Sequence, residues 1–255
     1  MATGRTVGSE YSRIYIDGYD MSGYARSIGN LSWGFKPNAT LTLTDSITGA
    51  LPGQGDISIG VVNSVMDNST GSGFHVVFED ASDAVRNVMV PLGIRAAPVA
   101  GDPTFCAQVA QNAYKASVAE GVLTASMELG SWDERADTIA YPIPWGYLIH
   151  APGAETVANT SGTANHSITA ATAKGGFMMY HVFGGSTGTV TVKVQDSTGG
   201  AWSDLLSSGV LTQDTPKSGV VVLTSTGAVN EDLRWQLAFG TATTANFALA
   251  FVRGY

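Results

Sequence analysis

The sequence predicts an all-β protein: an N-terminal β-sandwich or open barrel with one short helix, then a smaller C-terminal β-sandwich. Three observations predict it. Apolar and polar residues alternate with period two in many short stretches, TLTLT at 40–44 being the strictest. Clusters of Gly, Pro, Asn, Asp and Ser separate those stretches, as in LPGQGD at 51–56, GSTG at 185–188 and DSTGG at 196–200. Only 13% of the 255 residues are charged, against about 25% in an average soluble domain, so much of the surface has the composition of one that faces other protein.

Taken in order, 14–16 and 31–35 are short alternating runs flanking a segment rich in Gly, Ser and Tyr. Residues 40–44 and 57–61 read as strands on either side of the LPGQGD turn. Residues 73–84 (GFHVVFEDASDA) place Phe74, Val77 and Phe78 three and four apart, which predicts one short amphipathic helix. Residues 85–90 and 123–129 return to strand. Residues 104–117 fit two patterns: Asp102 and Pro103 resemble an N-cap and first turn with Phe105, Val109 and Ala113 four apart, yet those residues with Ala107 and Gln111 also share one face of a strand. The two prolines of AYPIPWG at 140–146 stiffen the chain and interrupt any ladder, so a first domain is expected over 1–141 and a second over 142–255. In the second, 190–194, 219–224, 234–239 and 247–252 are strands at spacings that suit a sandwich.

Charge and cysteine content bound the function. The net charge of −8 argues against gripping nucleic acid, which needs Lys and Arg to displace counterions. Residues 1–150 hold 15 acidic and 8 basic residues, net −7, and the remainder 6 and 5, net −1. Cys106 is the sole cysteine and reads as a small core hydrophobe. The N-terminus lacks the apolar core of an export signal, and no apolar run is long enough to span a membrane as a helix.

Reactive chemistry is sparse. GGSTG at 184–188 matches a nucleophile elbow, but lies between two strands instead of opening a helix, so a hairpin turn is expected. Asp133, Glu134 and Asp137 could pair as acid and base for glycoside hydrolysis, although a solvated loop countered by Arg135 explains them. His75, His150, His166 and His181 stand singly, without metal-ligand spacing, and DSTGG lacks alternating carboxylates for calcium; no metal or cofactor is expected. Trp202 and Trp235 read as core residues, or else as an aromatic platform for sugar rings, with Arg234 pointing away from the core.

IYIDGYDMSGYARSIGNLSW, followed by a Thr-rich stretch and GALPGQGDISIGVVNSVMDN, resembles the opening of major tail tube proteins of long-tailed, non-contractile bacteriophages. Asp17, Gly18, Asp20, Met21 and Ser22 fit the D-G-X-D-[LM]-[ST] turn of that family. VKVQDSTGGAWSDL, EDLRWQLAF and FALAFVRGY resemble the domains appended to such proteins, with DSTGGAW shorter and more Gly-rich than the pattern. The resemblance implies a non-catalytic virion protein. Six copies would form a ring, rings would stack into a tube that conducts DNA without binding it, and the second domain would decorate the outside. Its partners would be itself and other tail proteins, and 104–117 would be a strand. Tyr24, Arg26, Pro52, Gly53, Gln54 and Gly55 are the expected ring contacts, and an acidic lining would keep phosphates from sticking. Two rival readings remain: a capsid-decoration or tail-surface adhesin binding host glycans through Trp202 or Trp235, and a secreted glycan-active enzyme using Asp133 or Glu134.

Overall fold

A computed structural model describes residues 11–29, 31–40, 49–68, 73–79, 85–93, 96–119, 121–131, 144–162, 166–167, 171–184, 186–224 and 226–254. In the first half the strands are β1 (Tyr15–Ile16), β2 (Tyr19–Asp20), β3 (Ala25–Ile28), β4 (Leu31–Thr40), β5 (Gly49–Val65), β6 (Val85–Pro91), β7 (Pro103–Ala119) and β8 (Val122–Ser131). The second half adds β9 (Trp145–Thr156), β10 (His166–Ser167), β11 (Gly176–Val182), β12 (Thr189–Ser197), β13 (Trp202–Ser207), β14 (Leu211–Thr212), β15 (Lys217–Leu223), β16 (Asp232–Phe239) and β17 (Thr244–Arg253). The expected all-β class holds, with one helix among the described residues, α1 (Phe74–Phe78). It is shorter than the 73–84 expected, and buries Phe74 and Phe78 one turn apart.

Residues 104–117 lie wholly inside β7, and both faces of that strand are used. Phe105, Ala107 and Val109 join one core, while Cys106 joins another. The supposed cap residue does other work: the Asp102 carboxylate accepts the Val99 amide at 2.9 Å in a turn, and Pro103 sits at the strand's first residue, where its missing N–H costs least.

Among the described residues all ladders are antiparallel and fall into two sheets. The large one has the path β15–β11–β17–β9–β7–β6–β1–β2, with β8, β5, β4 and β3 branching from β7. The small one has the path β10–β16–β12–β13, with β14 beside β12. The run FALAFV explains how they stack. Phe247, Leu249 and Phe251 face the small sheet with Val190, Val192, Val194, Leu233, Trp235 and Leu237. Ala248, Ala250 and Val252 face the other way, against Tyr15, Met89, Cys106, Leu148 and Met179. A strand buried on both faces reads as a continuous apolar run, and its alternating large and small residues let the large sheet curl tightly around its inner face. A third core lies under α1, where Phe74 and Phe78 meet Ile59, Val62, Ala125, Met127 and Leu129.

The boundary expected at 141/142 falls in a stretch, 132–143, outside the described residues. Hydrogen bonding continues across it: β9 pairs with β7 at Pro103↔Tyr147, Thr104↔Gly146 and Phe105↔Trp145. The inner core draws Tyr15, Met89 and Cys106 from one side of that point and Leu148, Phe177, Met179 and Ala250 from the other.

Candidate assembly edges

Beyond Ala110, β7 leaves β6 behind, the last pair being Val85↔Ala110. From there it runs beside β8 as far as Ala119↔Val122. β8 pairs in turn with β5, and β5 with β4. The result is a four-stranded arm, β4–β5–β8–β7, with one open strand edge on each side among the described residues. One hydrogen bond fixes which groups the β7 edge presents. The Met66 amide donates to the Leu123 carbonyl, so Leu123 faces β5. Backbone direction alternates along a strand, so Thr124 and Ser126 face β7, opposite Ser117 and Lys115. Tyr114, Ala116 and Val118 therefore aim their amides and carbonyls at the open edge.

The arm's two faces differ. Ala125, Met127 and Leu129 point into the core under α1. The opposite face carries Asn63, Thr124, Ser126, Ser117, Lys115 and Glu128. It is polar, and the two charges named pair with each other: Lys115 pairs with Glu128, Ser117 Oγ meets Thr124 Oγ1 at 2.9 Å, and Asn63 Nδ2 donates to Ser27 Oγ at 3.0 Å. The tip is apolar, with Val118 72%, Leu123 44% and Val65 40% exposed.

What holds the arm's base is the DGYDMS turn. Asp17 adopts φ 51° and Gly18 φ 84°, a left-handed pair that reverses the chain between β1 and β2. A side chain at Gly18 would meet the Lys217 backbone nitrogen at 2.6 Å, so only glycine allows β15 to approach. The Gly18 amide donates to His181 Nδ1 at 3.0 Å. Asp17 accepts from Arg86 Nη1 and the Asn87 amide, both at 2.9 Å. Asn87 Nδ2 reaches Ser218 Oγ at 2.8 Å, and Gln108 Nε2 reaches Asn87 Oδ1 at 2.8 Å. Arg86 also donates to Gln111 Oε1, whose Nε2 caps the Phe78 carbonyl of α1. The Asn87–Ser218 bond joins β15, one end of the sheet path, to β6 near the other end, where no ladder among the described strands does. The rest of the motif serves locally: Asp20 Oδ1 accepts the Ser22 amide, Ser22 Oγ accepts the Ile14 amide, and Met21 is fully buried.

Of the expected ring contacts, Tyr24 is half-buried, and its carbonyl accepts the Val65 amide, tying the turn to the end of β5. Arg26 is exposed on β3 and lines a cavity of about 310 Å³ with Arg13, Ile14 and Ser27. Pro52, Gly53, Gln54 and Gly55 do not form the turn expected of LPGQGD. They lie inside β5, with Phe35↔Gly55 and Pro37↔Pro52 paired and a register shift between Phe35 and Pro37. Prolines facing each other beside a bulge leave no ladder donor stranded, which is why the strand runs through them.

Ser186 sits in a turn that passes from β11 in the large sheet to β12 in the small one, a crossover between sheets and not a hairpin, and its Oγ donates to the Thr244 carbonyl at 3.1 Å. Both oxygens of Asp196 are used internally, by Ser203 Oγ and the Asn230 amide, so DSTGG offers no carboxylate to a cation; Ser197 Oγ caps the turn at Gly199 and Gly200. Asp133, Glu134 and Asp137 lie outside the described residues. Among the described residues no cluster of three His, Cys, Asp or Glu could hold a metal. Burial pushes the Cys106 thiol far up, and drives His181 down to about 3, so its ring is neutral with Nδ1 as acceptor. Burial also lowers His150, against the pull of Glu155 at 3.0 Å.

Trp202 and Trp235 do not form one platform. Trp235 is 7% exposed, packed edge-on to His150 and Phe247 in the core between the sheets. Trp202 lies on the opposite face of the small sheet, under the Arg234 guanidinium at 4.4 Å from the ring centre; Arg234 points away from the core, as expected. The joining residues Arg86, Asn87, Gln108 and Ser218 were not singled out from sequence, and Gln111 was read only as part of a strand face. The available signal was polar residues interrupting otherwise apolar strands, as in VRNVMV and FCAQVAQ.

No family model matches the chain, and no curated protein matches it. Among solved structures it is similar to the SPP1 Dit (gp 19.1) protein, described as a paradigm of the hub adsorption apparatus in Gram-positive-infecting phages. The TM-score is 0.33 at 8% identity, covering 96% of this chain and 99% of that one. A likeness that slight carries nothing from that protein to this chain.

Proposed function

We propose that this chain is a non-catalytic structural subunit of a bacteriophage tail, joining copies of itself into six-membered rings that stack as a tube for DNA. The observation that supports it is the arm with two unlike open edges. Joining β4 of one copy to β7 of the next is a head-to-tail contact, and such contacts close into rings when the rotation allows. Monomeric proteins normally blunt edges with prolines, charges or covering loops. Here Tyr114, Ala116 and Val118 present backbone donors and acceptors beside an apolar tip. The polar face of the arm, with its one compensated ion pair, suits a conduit wall that gives phosphates nothing to hold.

The edge is testable by one substitution. Ala116→Pro removes a donor that no described strand of the same chain uses, and proline is tolerated where an edge N–H faces solvent. The variant is expected to keep the wild-type circular dichroism and thermal transition while losing rings and tubes in negative-stain micrographs. Rings that persist in a folded Ala116→Pro variant would remove the β7 edge from the contact.

A further inference from the structure

Beside the joined ends of the curled sheet, a cavity of about 340 Å³ opens where the 17–24 turn leans on the second half of the chain. Tyr19, Tyr24 and Phe183 are among the residues that line it, together with Pro152 and Pro216. Asp20 and Asn246 supply the polar part, both exposed to solvent. Three polar groups there make no hydrogen bond within the described fold. Asp20 spends Oδ1 on the Ser22 amide and keeps its second oxygen. Asn246 gives only its backbone carbonyl, to the Phe183 amide, and keeps its whole side-chain amide. The Tyr19 hydroxyl lines the cavity and has no hydrogen-bond partner among the described residues.

These groups describe a ligand. It must lay apolar surface on aromatic rings and prolines while offering, at its rim, donors for a carboxylate and both donors and acceptors for an amide and a phenol. A pyranose does this: its C–H bonds lie on the ring faces and its hydroxyls around the edge. A cation would satisfy the rings and Asp20 but leave the Asn246 donors without an acceptor. The volume sits at the small end of ligand pockets, roughly 300–1,000 Å³, which suits one or two sugar rings. The walls are also preset, since Gly18 is fixed to His181 and Asp17 to Arg86 and Asn87. We propose that this pocket binds a neutral saccharide, with Tyr19, Tyr24 and Phe183 against the sugar's C–H face and Asp20 and Asn246 holding its hydroxyls. The site is separate from Trp202, which lies on the outer face of the small sheet, and it does not depend on how copies assemble.

The test is saturation-transfer NMR on the full chain with D-glucose, D-galactose, D-mannose and N-acetyl-D-glucosamine. At least one is expected to bind with a Kd on the order of 1 mM, as a single ring on a preset site should. Asn246→Trp fills the mouth from an exposed position and should abolish transfer. Asn246→Ala should weaken it about tenfold, the worth of a lost polar contact, and guards against a misfolded Trp variant. Trp202→Ala should leave it unchanged. No transfer from any of the four sugars, transfer that survives both Asn246 variants, or transfer lost only with Trp202→Ala would each overturn the proposal. So would displacement of the bound sugar by tetramethylammonium or by a polyproline peptide at lower concentration than by a second sugar.

Discussion

Gly18 and His181 show how single residues close the sheet. At φ 84°, with the Lys217 backbone nitrogen 2.6 Å from where a Cβ would stand, Gly18→Ala meets both a left-handed penalty and a backbone that cannot swing aside. It should destabilise the chain by about 2–4 kcal/mol in urea unfolding. His181 makes a pH prediction with a definite sign. Its folded pKa lies near 3, below the ordinary 6.5, because burial disfavours the imidazolium. Between those values the unfolded chain takes up a proton that the folded chain refuses, so stability is whole above 6.5 and lost as pH falls toward 3. The slope is about 1.4 kcal/mol per pH unit, or about 2 kcal/mol between pH 6.5 and 5. Buried His150 is shifted the same way, so the clean measurement is a difference. His181→Gln keeps an acceptor for the Gly18 amide, and its unfolding free energy should fall less between pH 7 and pH 5 than that of the wild type. Equal losses would mean that His181 is not held neutral. The sequence placed Gly18 in a turn and His181 singly, without metal-ligand spacing, but could not show that each satisfies the other, since 163 residues separate them.

At the scale of elements, strands buried on one or both faces were legible because their periodicity is their burial. TVTVKV alternates, and FALAFV does not because it has a core on each side. β5 was not legible through LPGQGD. Glycines and prolines signal a turn locally, and only pairing with β4 reveals a strand there. The arm follows from the same pairing: β7 outruns β6, which no periodicity can report. Its tip gives a further prediction. Val118 and Leu123 form a cross-strand pair exposed to solvent, so Val118→Asp with Leu123→Asp should change the unfolding midpoint little. The same pair of changes should lower self-association in sedimentation velocity if the tip is buried between copies.

For the whole molecule, the inner core matters most. Leu148, Phe177, Met179, Ala248, Ala250 and Val252 are covered by Tyr15, Met89 and Cys106 from the far side of the 141/142 point. A fragment of 142–255 would leave that face open to water, so it should bind a hydrophobic dye and lose cooperative melting, while the full chain unfolds in a single transition. Two well-resolved transitions in the full chain would instead mean that the halves stand alone. The central claim is that this molecule works by joining its own copies through the edges of the β4–β5–β8–β7 arm. Negative-stain electron microscopy of the concentrated protein, beside Ala116→Pro, tests it most directly. Rings or stacked tubes are expected from the wild type and single particles from the variant; single particles from both, at concentrations well above micromolar, would contradict that claim.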